Sequence, residues 1–211
     1  MIFDEPKIPK VTVLMTVYNG EQDIHKSLTS VLHQSMEDYE VVVVDDGSAD
    51  RTWYVLESYA VQYPRLRIIH SSHVGRARAL NLGLAHARGE YVAINDADDI
   101  SLGDRLLVQA TYLDEHPEAV LVGGWAQVRG DDEQVLGERR IPTDDKRLRR
   151  RLALGNPFIH STVMYRKRAL SQIGGFSEAQ RAGIDYDAIE RLARIGKLAC
   201  VPRVVGIHFR S

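Results

Sequence analysis

The stretch Val41-Val42-Val43-Val44-Asp45-Asp46-Gly47-Ser48 joins an unbroken apolar run to a polar turn. A short apolar run that ends in turn residues is typical of a strand buried on both faces of a sheet. A second run of this kind occupies residues 11–17 and leads into Tyr18-Asn19-Gly20. Between the two runs, apolar residues recur at helical spacing: Ile24, Leu28, Val31 and Leu32. This order of strand, helix and strand predicts two parallel neighbouring strands.

The alternation of strands and helices continues through the first half of the chain. The pattern predicts helices over 52–62, 76–87 and 104–116, and strands over 66–70, 91–95 and 120–128. We therefore predict an α/β fold in which a Rossmann-like, mostly parallel sheet is sandwiched by helices on both faces.

The pattern changes near residue 125. Gly130-Asp131-Asp132-Glu133 predicts a hairpin tip that returns the chain antiparallel through 135–140. Further helices are predicted over 144–154 and 185–195, and further strands over 158–165, 198–201 and 204–209. We expect a small antiparallel portion that shares one sheet with the parallel part, within a single domain of 211 residues.

Composition excludes several classes of protein. The formal net charge is −2 and the basic residues are spread along the chain, which argues against nucleic-acid binding. The single cysteine, Cys200, excludes an internal disulfide and a cysteine-based zinc site. No segment approaches the roughly 20 apolar residues of a membrane span, and residues 1–10 lack the apolar core of a signal peptide. We expect a cytoplasmic location, with which peripheral association at the inner face of the membrane is compatible.

Three loops carry the unusual residues, and each follows a predicted parallel strand. They are residues 16–20, 45–48 and 95–100. Ligands of open parallel sheets bind beyond the carboxyl ends of the strands, so we place the functional site there. These loops contain neither a Gly-x-Gly-x-x-Gly fingerprint nor a P-loop, which argues against hydride transfer and P-loop chemistry.

The tetrapeptide Asp96-Ala97-Asp98-Asp99 concentrates three carboxylates at the end of a predicted strand. In an extended segment, Asp96 and Asp98 would project to the same side and could share a cation. Oxygen ligands of this kind favour Mg²⁺ or Mn²⁺. The alternative is that these acids are solvated at the start of the helix predicted over 104–116.

Asp45 and Asp46 form a second acidic pair after a strand. A carboxylate here could accept hydrogen bonds from a base or a ribose, and we favour Asp46 for that role. The alternative is helix capping, which accounts for Ser48 or Asp50 but leaves the adjacent aspartates unexplained.

These segments together resemble the family-2 glycosyltransferases with the GT-A fold. The similarity extends in order over most of the chain, through the segments 13–20, 43–52, 75–84, 89–99, 160–166, 174–176 and 183–187. Segment 89–99 resembles the strand that delivers a metal-binding Asp-x-Asp, and segment 183–187 resembles the stretch that carries the catalytic base. The resemblance implies a nucleotide-sugar-binding half over about residues 10–125 and an acceptor-binding, catalytic half over about residues 126–211.

The resemblance also assigns roles by position. Thr16, Tyr18 and Asp46 would contact the nucleoside. Asp96 would lie near the ribose or the metal, and Asp98 would bind the metal.

Asp185 would be the catalytic base, with Asp187 as the alternative; many relatives have Glu where this chain has Ile184. His208 or Arg210 could close over the diphosphate, and we include His208 with the metal site.

Four further residues have two interpretations each. Arg76 and Arg78 could meet phosphate, and we choose Arg78 as the nucleotide contact, although one of the two is expected at the surface. Trp125 could stack on an acceptor sugar or fill the core, and His160 could line the acceptor pocket or be buried and hydrogen-bonded.

The resemblance implies a metal-dependent inverting glycosyltransferase that uses a nucleotide-diphosphate sugar, with a UDP-sugar favoured. Its acceptor would be a carbohydrate or a lipid-linked sugar in cell-surface polysaccharide or glycolipid synthesis. The alternatives are a nucleotidyltransferase and a non-catalytic nucleotide-sugar-binding protein.

Overall fold

The computed structural model describes residues 8–130, 132–180 and 182–210. Asp131 of the predicted hairpin tip lies outside these residues. The strands are β1 Val11–Val17, β2 Tyr39–Asp45, β3 Leu66–His70, β4 Tyr91–Ile94, β5 Ile100–Ser101, β6 Ala119–Gly130, β7 Val135–Arg139, β8 Met164–Arg166 and β9 Lys197–Arg210. The α-helices are α1 Ile24–Leu32, α2 Thr52–Gln62, α3 Arg76–His86, α4 Arg105–Glu115, α5 Asp145–Leu152, α6 Lys167–Gln172 and α7 Ile184–Leu192.

The strands form one mixed sheet in the order β3-β2-β1-β4-β8-β6-β9-β5, with β7 paired to β6. Strands β3, β2, β1 and β4 are parallel, as the β-α-β alternation predicts. Antiparallel pairing begins where β4 meets β8, and β7 returns antiparallel along β6. The mixed α/β sheet predicted from the sequence is confirmed. The change of pattern that the sequence shows near residue 125 falls within β6.

Each face of the sheet has its own apolar core. Alternate residues of one strand supply opposite cores, because side chains point to alternate faces. Leu14 and Val42 pack with α3, α5 and α7 on one face, whereas Val41 and Val43 pack with α1, α2 and α4 on the other. None of the helices in the described part of the chain is long and apolar enough to cross a bilayer.

The strand predicted over 158–165 is mostly wrong. A 3-10 turn occupies His160–Thr162, and the strand β8 begins only at Met164. Side chains bind the carbonyls at the end of this turn: Gln109 Nε2 donates to Thr162 O at 2.8 Å, and Val163 O accepts from Arg105 Nη2 at 3.2 Å as well as from Ile94 N of β4 at 3.0 Å. Distant polar side chains therefore stabilise a local structure that apolar periodicity cannot reveal.

The two strands predicted over 198–201 and 204–209 are one continuous strand, β9. Its pairing with β6 shifts register where Gly124 faces Val201 and Trp125 faces Val204. Pro202 lies in this irregularity, where a residue without an N–H can be accommodated because the ladder is already interrupted. The short elements β5 and α6 also escaped the sequence pattern.

Candidate active site

The loops after β1 and β2 enclose a first cleft of about 300 Å³ at the carboxyl ends of the parallel strands. The register that pairs Val17 with Asp45 places these loops side by side. The first cleft brings together three predicted nucleoside contacts, Thr16, Tyr18 and Asp46. His73, which the sequence analysis missed, completes one wall, since its ring lies 4.0 Å from that of Tyr18. Aromatic walls of this kind suit a planar base.

Asp46 is buried, and its carboxylate holds the loop that precedes α3. Its two oxygens accept hydrogen bonds from the backbone of Val74 at 2.7 Å and of Gly75 at 2.8 Å. Gly75 has φ +91°, a conformation that favours glycine. Asp46 therefore shapes the first cleft as well as lining it.

Other polar residues of the loop after β2 make contacts within the fold. Asp45 is fully buried and binds the Ser48 hydroxyl and the His70 ring, whose Nδ1 lies 3.3 Å from Oδ2. Asp50 Oδ1 accepts a hydrogen bond from Thr52 N at 3.0 Å where α2 begins. The capping prediction for Ser48 or Asp50 is wrong, because Arg51 occupies the N-cap position of α2 and makes no side-chain cap hydrogen bond, while Asp50 binds the first helical N–H from the position before the cap.

A second cleft of about 440 Å³ adjoins the first, and Arg76 lines both. Three predicted site residues line the second cleft: Asp96, Asp185 and His208. Arg78 lines neither cleft; its Nε donates to Glu178 at 2.9 Å and its side chain is largely exposed. Arg76, the other member of the predicted arginine pair, lies where the two clefts meet.

The three aspartates after β4 have different surroundings because residues 96–99 form a turn, closed by Asp99 N donating to Asp96 O at 3.2 Å. The expectation of an extended segment is wrong here. Asp96 Oδ1 accepts a hydrogen bond from Arg76 Nη2 at 2.6 Å. Asp99 is buried and binds Ser161, the His208 ring and the Phe209 N–H, so it is not a solvated acid at a helix start.

Asp98 is the exposed member of this turn. Among the described residues, no other residue gives it an ion pair or hydrogen bond. Desolvation by nearby protein, followed by the charges of Asp99 and Asp96, raises the pKa of Asp98. A bound cation would offset the repulsion between Asp98 and these two neighbouring aspartates.

His208 reaches the same turn from β9. Its Nδ1 lies 3.0 Å from Asp99 Oδ2, and this hydrogen bond raises the pKa of His208. With Nδ1 engaged, only Nε2 is left for any other ligand.

These residues fit a divalent cation that is held mainly by its substrate. Within the described ranges no three His, Cys, Asp or Glu side chains form a preformed cage. Mg²⁺ and Mn²⁺ commonly bind through one or two carboxylates and complete their shells with water and phosphate oxygens. Asp98 would hold the cation, with Asp96 and His208 Nε2 as the further candidates.

Asp185 lies in the first turn of α7, opposite the acidic turn. Gly183, with φ +64°, occupies the N-cap position, so Asp185 does not cap the helix. Asn156 Nδ2 donates to Asp185 Oδ2 at 2.6 Å, while Asn156 Oδ1 accepts from Phe158 N at 3.0 Å. The contact with Phe158 N determines that Asn156 presents Nδ2 to Asp185. The bond from Nδ2 then holds Asp185 Oδ2 in place.

Asp187, the alternative base, forms an ion pair with Arg191. Arg191 Nε donates to its carboxylate at 2.8 Å, and the same guanidinium binds the carbonyls of Ile173 and Gly175. Asp187 therefore anchors α7 and does not line the second cleft.

His160 both lines the second cleft and is buried, which combines the two predicted interpretations. Burial lowers its pKa, and its Nε2 has no partner among the described residues. Trp125 contacts the core and donates to Ile141 O at 3.0 Å, so the core interpretation describes it.

The sheet and its two adjoining clefts define an α/β protein with an open polar site at the carboxyl ends of its parallel strands, the place where ligands of such sheets bind. Residues 12–174 match the model of glycosyl transferase family 2. The chain belongs to this family.

Two curated relatives are similar over most of the chain. The putative glycosyltransferase EpsE of Bacillus subtilis is 35% identical over 175 residues, which are 82% of this chain and 62% of EpsE. The amylovoran biosynthesis glycosyltransferase AmsE of Erwinia amylovora is 29% identical, over 78% of this chain and 63% of AmsE. The chain thus spans about three fifths of the length of these relatives.

Two solved structures share the GT-A fold. TarS of S. aureus in complex with UDP-GlcNAc has a TM-score of 0.78 at 22% identity, covering 96% of this chain and 59% of that one. The mannosyltransferase PcManGT of Pyrobaculum calidifontis in complex with GDP-Man and Mn²⁺ has a TM-score of 0.74 at 24% identity, covering 96% and 57%.

Proposed function

We propose that this glycosyltransferase moves a sugar from a nucleoside diphosphate, with uridine favoured, to an acceptor hydroxyl, and that the anomeric configuration inverts. The observation that carries the proposal is the position of Asp185. Its carboxylate lines the same cleft as Asp96, and Arg76 links that cleft to the aromatic-walled first cleft. Donor and base would thus meet across one continuous site.

The first cleft would bind the nucleoside. The Tyr18 and His73 rings offer a flat wall to the base, while Thr16 and the loop held by Asp46 line the rest of the cleft. The diphosphate would then extend past Arg76 toward the acidic turn. A bound Mn²⁺ or Mg²⁺, held by Asp98, would supply positive charge against the charge that develops on the leaving diphosphate.

In the second cleft, Asp185 would take the proton of the acceptor hydroxyl as that oxygen attacks the anomeric carbon. Asn156 holds Oδ2, which leaves Oδ1 for the proton. A single displacement from the face opposite the diphosphate inverts the configuration. General-base assistance of this kind is typically worth about 10²–10⁴ in rate.

The competing functions are less well supported by these contacts. A nucleotidyltransferase usually needs a glycine-rich, cationic loop after its first strand, but the loop after β1 presents Tyr18 to the first cleft. A non-catalytic binder would not require the Asn156 contact that orients Asp185.

The decisive experiment screens nucleotide-sugars for thermal stabilisation with Mn²⁺ and with EDTA, and then follows transfer from the best donor by NMR. We expect Mn²⁺-dependent stabilisation and a product of inverted configuration. A product that retains the donor configuration would refute the single displacement. Binding without donor turnover across a panel of acceptors would favour the non-catalytic alternative.

We further propose that the acceptor belongs to the synthesis of a cell-surface polysaccharide or glycolipid, made at the cytoplasmic face of the membrane. The similarity to the amylovoran biosynthesis glycosyltransferase AmsE supports the biosynthetic part of this proposal. Fractionation of cells that express the protein, with transferase activity measured in soluble and membrane fractions, tests the location.

A further inference from the structure

A cleft of about 280 Å³ lies beside the second cleft and carries an excess of positive charge. We call it the arginine cleft, since its lining includes Arg139, Arg140 and Arg151. The remaining described lining residues are apolar or uncharged, and no carboxylate is among them. An anion in the arginine cleft would contact guanidinium groups, and no carboxylate of the described lining would compete with it for them.

Two of the three arginines have no neighbouring carboxylate to neutralise them in the described part of the chain. Arg140 is neutralised by Glu138, 2.7 Å away. Arg139 Nη2 instead donates to two backbone carbonyls, Asn156 O at 2.9 Å and Pro157 O at 3.2 Å. In the described part of the chain, neither Arg139 nor Arg151 has a carboxylate within ion-pair distance.

The arginine cleft is connected to the reaction centre through Arg139 and Asn156. Arg139 lines the second cleft as well as the arginine cleft, and Asn156 lines the arginine cleft while its amide holds Asp185. An anionic group bound here would therefore sit beside the hydroxyl that Asp185 deprotonates.

We infer that the arginine cleft binds a phosphate group of the acceptor, so that the acceptor is a phosphorylated saccharide. This inference rests on the proposed function, because it assigns the second cleft to the acceptor. Guanidinium groups suit phosphate oxygens through paired, charge-assisted hydrogen bonds. The phosphate could belong to a soluble sugar phosphate or to a lipid-linked one, and Leu154, 88% exposed at the mouth of the cleft, offers an apolar surface for the latter.

A second interpretation assigns these arginines to a general membrane contact through the exposed face of α5. Two observations favour the phosphate site. Arg139 comes from β7 rather than from α5, yet it converges on the cleft with Arg151. Arg147 and Arg150 lie on the exposed part of α5 but do not line the cleft.

A binding experiment tests the inference without requiring turnover. Protein saturated with UDP and Mn²⁺, so that the donor site is filled, is titrated with glucose 6-phosphate and with glucose, and binding is followed by NMR. We expect glucose 6-phosphate to bind at least about tenfold more tightly. The preference should disappear in the double variant Arg139→Gln, Arg151→Gln, and it should persist in Arg150→Gln, which removes one exposed charge from the same helix.

A transfer experiment separates the two phosphate sources. Glucose 6-phosphate and a short-chain lipid glycosyl diphosphate in micelles are compared as acceptors. The double variant should raise the acceptor KM about tenfold or more, whereas Arg150→Gln, which lies outside the clefts, should leave both the acceptor KM and donor hydrolysis near wild type. A preference for the lipid-linked acceptor that Leu154→Ser abolishes would assign the phosphate to a lipid.

Several results would overturn the inference. One is equal affinity for glucose and glucose 6-phosphate. Another is a phosphate preference that survives in the double variant. A third is binding to phosphatidylglycerol vesicles that Arg150→Gln weakens as much as the double variant does, without any preference for glucose 6-phosphate. Failure of the proposed function would differ, since either donor binding or donor turnover would then be absent from the wild-type protein.

Discussion

Two aspartates on the same turn of α7 illustrate how surroundings decide the role of a residue. Asp185 faces the second cleft and receives one amide hydrogen bond from Asn156, whereas Asp187 is held by Arg191. Both are carboxylates two positions apart, but of the two only Asp185 lines the second cleft.

The first prediction concerns this pair. Asp185→Asn removes the basicity but keeps an oxygen that can accept from Asn156, so transfer should fall by at least about 10² while donor affinity and melting temperature stay near wild type. Asp187→Asn is the matched control: it should lower the melting temperature through the weakened Arg191 contact and leave transfer within a few-fold. Transfer rates per folded enzyme decide the matter, and the reverse pattern would make Asp187 the base.

The second prediction concerns the cation. Asp98→Ala should abolish the gain in donor affinity that Mn²⁺ gives, since Asp98 is the exposed carboxylate of the turn and none of the described residues neutralises it. Calorimetric titration of UDP with Mn²⁺ and with EDTA measures the gain. Asp23→Ala removes an equally exposed carboxylate outside both clefts and should leave the gain intact. Equal affinity of the wild-type protein in Mn²⁺ and EDTA would contradict the metal role.

The third prediction concerns Asp46, whose two oxygens hold the loop before α3. Asp46→Ala should weaken UDP binding and also lower the melting temperature, because two backbone N–H groups lose their acceptors. Asp46→Asn retains one oxygen acceptor, so it should lie between the wild type and Asp46→Ala in both measurements. Unchanged UDP affinity in Asp46→Ala would leave this carboxylate with a structural role alone.

At the scale of secondary-structure elements, α4 stabilises the acidic turn through one buried guanidinium. Arg105 is fully buried and donates to Asn95 Oδ1, Ser101 Oγ and Ile94 O at 2.7–3.1 Å, which ties together both ends of the loop after β4. Burial lowers the pKa of Arg105 to about 10. The group is therefore cationic at neutral pH and lies beneath the turn that carries Asp98.

The fourth prediction is that Arg105→Lys destabilises the protein by about 2–5 kcal/mol, because an ammonium cannot reproduce the planar set of donors and leaves buried acceptors unpaired. Urea unfolding at pH 7 measures the loss. Arg168→Lys makes the same change at an exposed position and should alter stability by less than about 0.5 kcal/mol. A small effect at Arg105 would mean that lysine or water replaces the missing donors.

The sequence allowed the elements of the parallel half to be predicted, since buried parallel strands are unbroken apolar runs that end in turn residues. Arg105 shows why other features could not be predicted. Its partners lie at residues 94, 95, 101 and 163, and only the folded chain brings them together. The same holds for Asn156, which stands 29 positions from Asp185, and for His73, whose role depends on the Tyr18 ring beside it on the same wall of the first cleft.

At the scale of the whole molecule, Glu40 joins β2 to the turn that precedes β4. Its buried carboxylate accepts hydrogen bonds from Thr12 Oγ1 at 2.9 Å, and from Arg88 N and Arg88 Nε at 2.7 Å each. Burial alone would raise the pKa of Glu40, but the hydrogen bonds from Arg88 and Thr12 outweigh it and the pKa lies below 4.5.

The fifth prediction follows from the sign of this shift. A lowered pKa means that Glu40 stabilises the fold above pH 4.5, its ordinary pKa, and that this contribution is lost as the pH falls through the lower, folded-state pKa. Glu40→Gln should therefore cost about 1–3 kcal/mol at pH 7, and the difference from wild type should shrink below pH 4.5. Denaturant unfolding of both proteins from pH 7 to pH 3 measures it. A difference that stays constant with pH would show that the charge contributes no stability.

The position of β9 has a consequence for synthesis on the ribosome. This strand comes after all the other described elements in chain order, yet it lies between β6 and β5 in the sheet. Its His208 ring and Phe209 N–H form hydrogen bonds with Asp99. While β9 is still inside the exit tunnel, the emerged part of the chain lacks the strand that fills this place and the contacts that hold the acidic turn. We expect the parallel half to collapse early and nascent chains to gain the proposed cation site only after β9 has emerged and docked.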